Sequence, residues 1–368
     1  MKTLLLLAGT RPEIIKVAPI LLKWKEQPPH SSLQVKLCLT GQHQTMANEA
    51  LNIFGITADA NLEIMKPNQT LNDIAQMTFE RLPNVLEKIK PNVVMVQGYT
   101  TTAAMSALCA FQQKIPVAHV EAGLRTFNLD APFPEEANRK VIGSIASFHF
   151  PPTQSAYLNL LSEGIAERNI FQTGNTSIDA LEYIKRFYSL DNISAIDSNI
   201  RSPFVLVTAH RRESFGEGFK NICTAIQTCA ERFPDFQFIY PVHLNPNVRT
   251  PVLSLLGNMT NVLLIEPVSY LRLLTLLKHC SFVLTDSGGI QEESPSFGKY
   301  CIVMREVTER IESLRSGIAE LVGTNSEKII TAVTREIMSP TKFAVDVNPY
   351  GDGTASEKIL AIFQNHLH

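Results

Sequence analysis

The sequence predicts an α/β protein of two Rossmann-like, doubly wound domains facing a cleft. Three observations predict it. Short apolar runs of strand length alternate with longer amphipathic stretches, the mark of βαβ units with helices on both faces of a parallel sheet. This alternation runs through the first half of the chain and then restarts in the second. At 368 residues the chain is long for one hydrophobic core and suits two.

Taken in order, the first set of strands falls at Thr3–Ala8, Val35–Thr40, Val93–Val96 and Val117–Val120, with His149–Phe150 and Ile170–Phe171 as weaker candidates. Each is followed by a turn or a polar residue and then by helical periodicity, as in Thr102 to Phe111. A second set of five follows at Phe204–Thr208, Phe236–Tyr240, Val262–Ile265, Phe282–Leu284 and Cys301–Met304. The polar stretch Leu190 to Ser202 between the sets marks the domain boundary, giving residues 1–190 and 191–351. In such folds ligands bind where strand C-termini face the cleft.

Composition narrows the function. Hydrophobic residues make up 45% and charged residues 18%, normal for a well-buried enzyme. Thirty-three basic against thirty-five acidic residues leave a net charge of −2, which invites neither nucleic acid nor an anionic membrane. Leu4 to Ala8 is too short for a signal sequence, and Arg11 and Glu13 follow at once. No segment reaches the roughly 18 apolar residues of a membrane span, so the expected location is the cytoplasm. The six cysteines are scattered without a CxxC or a His/Cys cluster and read as buried thiols, not disulfides or a metal site. No metal-ligand spacing, GxSxG or GxxxxGK[ST] occurs, and no cofactor is expected.

The most informative stretch is SFVLTDSGGIQEESPSFGKYCIVM, residues 281–304. An apolar strand stops at Thr285 and Asp286, and Ser287-Gly288-Gly289 turns into a helical segment carrying Glu292 and Glu293. Two glycines admit close backbone approach, and a helix start carries partial positive charge, together a seat for phosphate. A glutamate one turn on can accept ribose hydroxyls. Other polar clusters also sit at strand ends: GTRPEIIK (Gly9 to Lys16), Gln97-Gly98-Tyr99-Thr100, Glu121 to Arg125, Pro134 to Arg139 and His210 to Ser214. Polar groups at buried strand ends are costly without partners. His210 beside two arginines is a candidate phosphate ligand or proton carrier. Glu121 and Glu135 are candidate acid–base carboxylates.

Eight ordered motifs carry a resemblance: GTRPE, HVEAGLR (His119 to Arg125), PEEANR (Pro134 to Arg139), TGNTSIDAL (Thr173 to Leu181), HRRESFG (His210 to Gly216), YPVHLNPNVR (Tyr240 to Arg249), DSGGIQEE and NPYGDG (Asn348 to Gly353). The chain resembles the non-hydrolysing UDP-N-acetylglucosamine 2-epimerase family from Gly9 to Gly353. The resemblance implies the GT-B fold, with a C-terminal helix over 352–368 completing the first domain, and a cytosolic homodimer making UDP-N-acetylmannosamine for envelope polysaccharides. It implies C2 deprotonation with expulsion of UDP to 2-acetamidoglucal, then re-addition of UDP after protonation on the other face.

Matched position by position, the resemblance puts Arg11 and Lys16 at the diphosphate and sugar, and Ser287, Gly288 and Gly289 at phosphate. Glu293 falls at the ribose, Arg310 at the nucleotide, and Val268 and Leu273 at uracil. Glu121 and Glu135 match catalytic carboxylates, His210 an essential histidine and Arg139 a supporting cation. Gln42, Glu136 and His243 match a second, activating UDP-N-acetylglucosamine site, a pattern from which Thr45 and Asn68 depart.

The chain also departs from the family at the pocket. The family reads HGDTTT where this sequence has QGYTTT, so Gln97 replaces a histidine and Tyr99 a catalytic aspartate. Ala209 stands for a glycine and Ile311 for a proline. Tyr99, a phenol with an ordinary pKa near 10, is a candidate proton donor or sugar contact. Three readings stay open: a 2-epimerase, a UDP-sugar enzyme of altered chemistry such as a glycosyltransferase, or a catalytically impaired nucleotide-sugar binding homologue.

Overall fold

Apolar runs placed between polar turns build two parallel sheets. A computed structural model of the chain describes residues 1–28, 32–41, 44–66, 69–343 and 348–366. Contacts divide the chain into two compact units, one of Met1–Tyr183 with Tyr350–His368, the other of Ile184–Pro349. Gln42 and Asn68 lie outside the described residues.

The first unit holds strands β1 (Lys2–Ala8), β2 (Leu33–Leu39), β3 (Ala60–Asn61), β4 (Val93–Gln97), β5 (Val117–Val120) and β6 (Phe148–Phe150). They form one sheet in the order β3-β2-β1-β4-β5-β6, every pair parallel. Leu4 to Leu7 on β1 are at most 3% exposed, since helices cover both faces of this central strand. That is why it reads as a continuous apolar run instead of an alternating one. Burying each such leucine contributes about 1.5–3 kcal/mol.

The connecting helices are α1 (Arg11–Lys25), α2 (Gln44–Phe54), α3 (Leu71–Ile89), α4 (Thr101–Gln112), α5 (Glu135–Ile145), α6 (Gln154–Ser162) and α7 (Thr176–Phe187). Their starts follow capping chemistry. The Thr70 hydroxyl accepts from the Asp73 N–H at 3.2 Å, and the Asp73 carboxylate accepts from the Thr70 N–H at 2.7 Å. Thr100 caps α4 by accepting from the Ala103 N–H at 3.1 Å.

The second unit repeats the plan with β7 (Phe204–Thr208), α8 (Glu217–Arg232), β8 (Gln237–Pro241), α9 (Pro246–Leu256), β9 (Val262–Ile265), α10 (Tyr270–His279), β10 (Phe282–Thr285), α11 (Gly288–Glu293), β11 (Cys301–Val303), α12 (Ile311–Arg315), β12 (Ala319–Leu321) and α13 (Ser326–Met338). Its sheet runs β12-β11-β10-β7-β8-β9, again all parallel. Val205, Val207, Phe219, Ile226, Phe238 and Ile302 pack its core.

The last helix, α14 (Ala355–His366), returns to the first unit. Asp179 accepts from the N–H groups of Ala355 and Ser356 at 3.2 and 2.7 Å, so a buried carboxylate meets the orphan donors of the helix start. Phe363 packs its ring 5.2 Å from Phe148 and 5.7 Å from Phe150.

Three strand expectations need correction. β3 and β12 were not expected, being two and three residues long at sheet edges, too short to leave an apolar run. Ile170–Phe171 makes only an isolated bridge, Ile170 to His149, and no strand.

Candidate active site

Sheet topology decides which side chains gather, because loops following parallel strands emerge at one end. In the first unit, β1, β4 and β5 lie side by side and their C-terminal loops carry Gly9 to Lys16, Gln97 to Thr100 and Glu121. Glu121, buried and directly after β5, has φ of 66°, a left-handed conformation rare outside glycine. Its N–H and that of Ala122 both donate to the Phe150 carbonyl, at 3.1 and 3.2 Å, which holds the unusual turn in place. One carboxylate oxygen takes two donors: the Lys16 ammonium, from α1, and the Gln97 amide at 2.7 Å, from the end of β4. Three chain segments far apart in sequence therefore meet at one buried carboxylate.

Beneath them Glu13 accepts from the N–H groups of Gly9 and Thr10 at 2.8 and 2.7 Å and from the Thr100 hydroxyl at 2.6 Å. Burial raises its pKa from the ordinary value, against the pull of those donors. Glu13 thus ties the β1 loop, with Arg11 at the first position of α1, to the β4 loop.

Glu135 opens α5, and its Oε2 is buried with no hydrogen-bond partner among the described residues. Glu136 and Arg139 are both fully buried and pair at 2.7 Å. Glu136 also accepts from the Phe127 N–H at 3.1 Å. The Arg139 guanidinium lies 3.9 Å from the centre of the Tyr99 ring, a cation–π contact. Asn138 Nδ2 donates to the Tyr99 carbonyl at 3.1 Å. Behind them His119 Nε2 meets the Gly98 carbonyl at 2.8 Å, and burial pushes that ring down to about 3.

In the second unit the β7 and β10 strands are adjacent, which brings His210 beside Asp286. Asp286, fully buried, accepts from the N–H groups of His210 and Arg211 at 2.6 and 2.7 Å. Its other oxygen lies 3.5 Å from His210 Nδ1, beyond a good hydrogen bond but within ion-pair range of a protonated ring. His210 stacks on His243, which follows β8, with ring centres 5.6 Å apart and planes at 13°. His243 Nδ1 accepts from the Asn245 N–H at 3.1 Å, so that nitrogen carries no proton.

The Ser287 N–H donates to the Thr285 hydroxyl at 2.9 Å, shaping the turn into α11. A Cβ on Gly288 would stand 2.9 Å from Arg310 Cζ, so glycine is what lets the guanidinium sit against this turn. Arg310, at the start of α12, is 1% exposed and gives its Nε and Nη2 to Glu292 at 3.0 and 2.7 Å and its Nη1 to Glu309. Glu293 accepts from the Tyr270 hydroxyl at 2.6 Å. Val268 and Leu273 bracket the start of α10, where the Ser269 hydroxyl accepts from the Arg272 N–H.

The expected site residues thus fall into two groups. Lys16, Glu121, Tyr99, Glu135, Glu136 and Arg139, with Arg11, belong to the first unit; His210, His243, Val268, Leu273, Ser287, Gly288, Gly289, Glu293 and Arg310 belong to the second. Sequence reasoning assigned no role to Glu13, Asp286 or Tyr270. Asp286 was visible as a charge ending an apolar strand, whereas Tyr270 lies on a helix with nothing to mark it. Among the described residues, no group of three or more His, Cys, Asp or Glu could hold a metal ion. No helix there is long and apolar enough to cross a membrane.

Known proteins match this arrangement along the whole chain. The sequence model of the UDP-N-acetylglucosamine 2-epimerase family matches residues 25–364. A protein named UDP-N-acetylglucosamine 2-epimerase from Campylobacter jejuni is 47% identical, with 98% of this chain and 97% of that one covered. Its namesake from Escherichia coli strain K12 is 46% identical, with 97% of each covered. The crystal structure of UDP-GlcNAc 2-epimerase from Neisseria meningitidis bound to UDP-GlcNAc superposes with a TM-score of 0.93 at 44% identity, over 100% of both chains. With its two parallel sheets and relatives matching over nearly its whole length, this chain belongs to the UDP-N-acetylglucosamine 2-epimerase family.

Proposed function

We propose that the protein interconverts UDP-N-acetylglucosamine and UDP-N-acetylmannosamine by inverting C2. A carboxylate takes the C2 proton, the C1–O bond breaks with its electron pair leaving on UDP, and 2-acetamidoglucal remains. A proton then returns to the opposite face of C2 and UDP re-adds at C1. The observation that carries this reading is Glu121, whose carboxylate is aimed by Lys16 and Gln97. Two donors from separate chain segments converging on one buried acid suit a positioned proton carrier.

Glu135, with its buried Oε2, shares the proton transfers with Glu121. His210, held by Asp286, serves the departing diphosphate, with Arg11, Lys16, Ser287, Gly288 and Gly289 as further diphosphate and sugar contacts. Most of the rate comes from stabilising that leaving group, since the C2 proton is only weakly acidic. Glu293 and Arg310 serve the nucleotide, and Val268 and Leu273 the base. Support comes from relatives named for this reaction and from the Neisseria meningitidis structure bound to UDP-GlcNAc. They favour epimerisation over glycosyl transfer or binding alone. Family resemblance alone suggests a cytoplasmic homodimer serving envelope polysaccharide synthesis.

The test is NMR of UDP-N-acetylglucosamine with the protein in D2O. Deuterium at C2 together with a growing manno-configured signal is expected. Binding without exchange, or loss of UDP only when a sugar acceptor is added, would overturn the proposal.

A further inference from the structure

Where the family's pattern has a carboxylate, this chain has a half-buried ring lying on a fully buried guanidinium. We infer that Tyr99 is a positioning residue: its ring face, stacked on Arg139, pins the first turn of α5 and thereby aims Glu135. The inference rests on the proposed role of Glu135 in proton transfer.

Four contacts carry it. Arg139 Cζ lies 3.9 Å from the ring centre, inside the distance at which a guanidinium is held by an aromatic face. The Tyr99 carbonyl accepts from Asn138, the residue before Arg139, at 3.1 Å. So the backbone and the side chain of Tyr99 grip adjacent residues of α5. Arg139 then holds Glu136 at 2.7 Å, and Glu136 holds the Phe127 N–H at 3.1 Å. Phe127 has φ of 61° and lies in the loop leading from Glu121 to Glu135. The chain Tyr99–Arg139–Glu136–Phe127 therefore braces both that loop and the helix start bearing Glu135.

A phenol is a much weaker acid than the carboxyl group it replaces. Its ring face works at any pH. Tyrosine at this position thus keeps Arg139 in place while giving up the chemistry of an acid. The hydroxyl is dispensable to this role and the ring is not.

The test compares the full-length chain with Tyr99→Phe and Tyr99→Leu. Tyr99→Leu is expected to lower kcat for C2 exchange about tenfold or more, since small misplacements of a reacting group carry such costs. KM should change less than kcat, because the α5 start moves and the nucleotide contacts do not. Tyr99→Phe should recover most of the lost rate and the native pH profile. A second readout does not depend on turnover. The amides of Glu136 and Asn138, bonded to the carbonyls of Pro132 and Pro134, and that of Phe127 should exchange faster with deuterium in Tyr99→Leu and at the native rate in Tyr99→Phe.

A Tyr99→Phe chain as slow as Tyr99→Leu would assign the role to the hydroxyl and overturn the inference. So would native amide exchange in Tyr99→Leu. If the native chain shows no C2 exchange at all, the proposed reaction fails, while the amide readout still decides whether Tyr99 braces α5. Should Tyr99→Leu not fold, Tyr99→Gln supplies the same contrast.

Discussion

Lowering the pH from 7 to 5 should loosen the first unit through two buried histidines. His119 on β5 and His149 on β6 are 1% and 0% exposed. Each ring Nε2 meets a backbone carbonyl, Gly98 for His119 at 2.8 Å and Ala146 for His149 at 3.0 Å, which makes Nε2 the donor. Each Nδ1 is buried with no partner among the described residues. A proton there would be an unpaired buried charge. Burial accordingly pushes His119 down from 6.5 to about 3 and His149 to about 4. The carbonyl bonds oppose this, and the charges of Arg125 near both rings and Arg139 near His119 reinforce it.

The folded values lie below the unfolded one, so this contribution is whole above pH 6.5 and is lost as pH falls towards 4 and then 3. At pH 5 the unfolded ring is 1.5 pH units below its midpoint while the folded ring stays neutral, a loss of about 2 kcal/mol per histidine. Together they remove about 4 kcal/mol, a large share of the 5–15 kcal/mol typical of a domain. Trp24, the only tryptophan, lies in this unit with its indole N–H on the Leu33 carbonyl at 2.8 Å. Its fluorescence in urea titrations at pH 7 and pH 5 therefore follows the right unit. His149→Gln should halve the pH effect. A drop under about 1 kcal/mol in the native chain, or an undiminished drop in His149→Gln, would refute the reasoning.

Other expectations follow from single contacts. Glu121→Gln should slow C2 deuterium exchange by about 10²-fold or more, the usual scale of positioned acid–base catalysis, with UDP affinity by calorimetry nearly unchanged. His210→Ala should abolish turnover, and full activity in a rate assay would remove its role. Gly288→Ala should push its new methyl into Arg310 and cost about 1–3 kcal/mol of stability, visible as a lower melting temperature with weaker UDP binding. Asp179→Ala should cost about 1–2 kcal/mol by uncapping α14, and limited proteolysis should then cut near Tyr350.

Family and chemistry were legible because they rest on local signals. Apolar runs bounded by turns marked the main strands, since a strand buried on both faces must be apolar throughout. Charges at their ends marked Glu121 and His210. Two edge strands, β3 and β12, escaped notice: Ala319–Leu321 has one neighbour and is too short to impose a pattern. Tyr99 in sequence looked like a damaged acid. Only the fold showed its ring on Arg139, because the loop after β4 meets α5 in space and not through adjacency in the chain.

The sequence by itself determined the alternation that makes two parallel sheets and supplied the acids, cations and glycines at their ends. Tertiary structure alone decided which of these pair: Lys16 with Glu121 across 105 positions, Asp286 with the His210 backbone across 76. Strand order sets those meetings, and strand order is a property of how the whole sheet packs, which no local stretch of residues encodes.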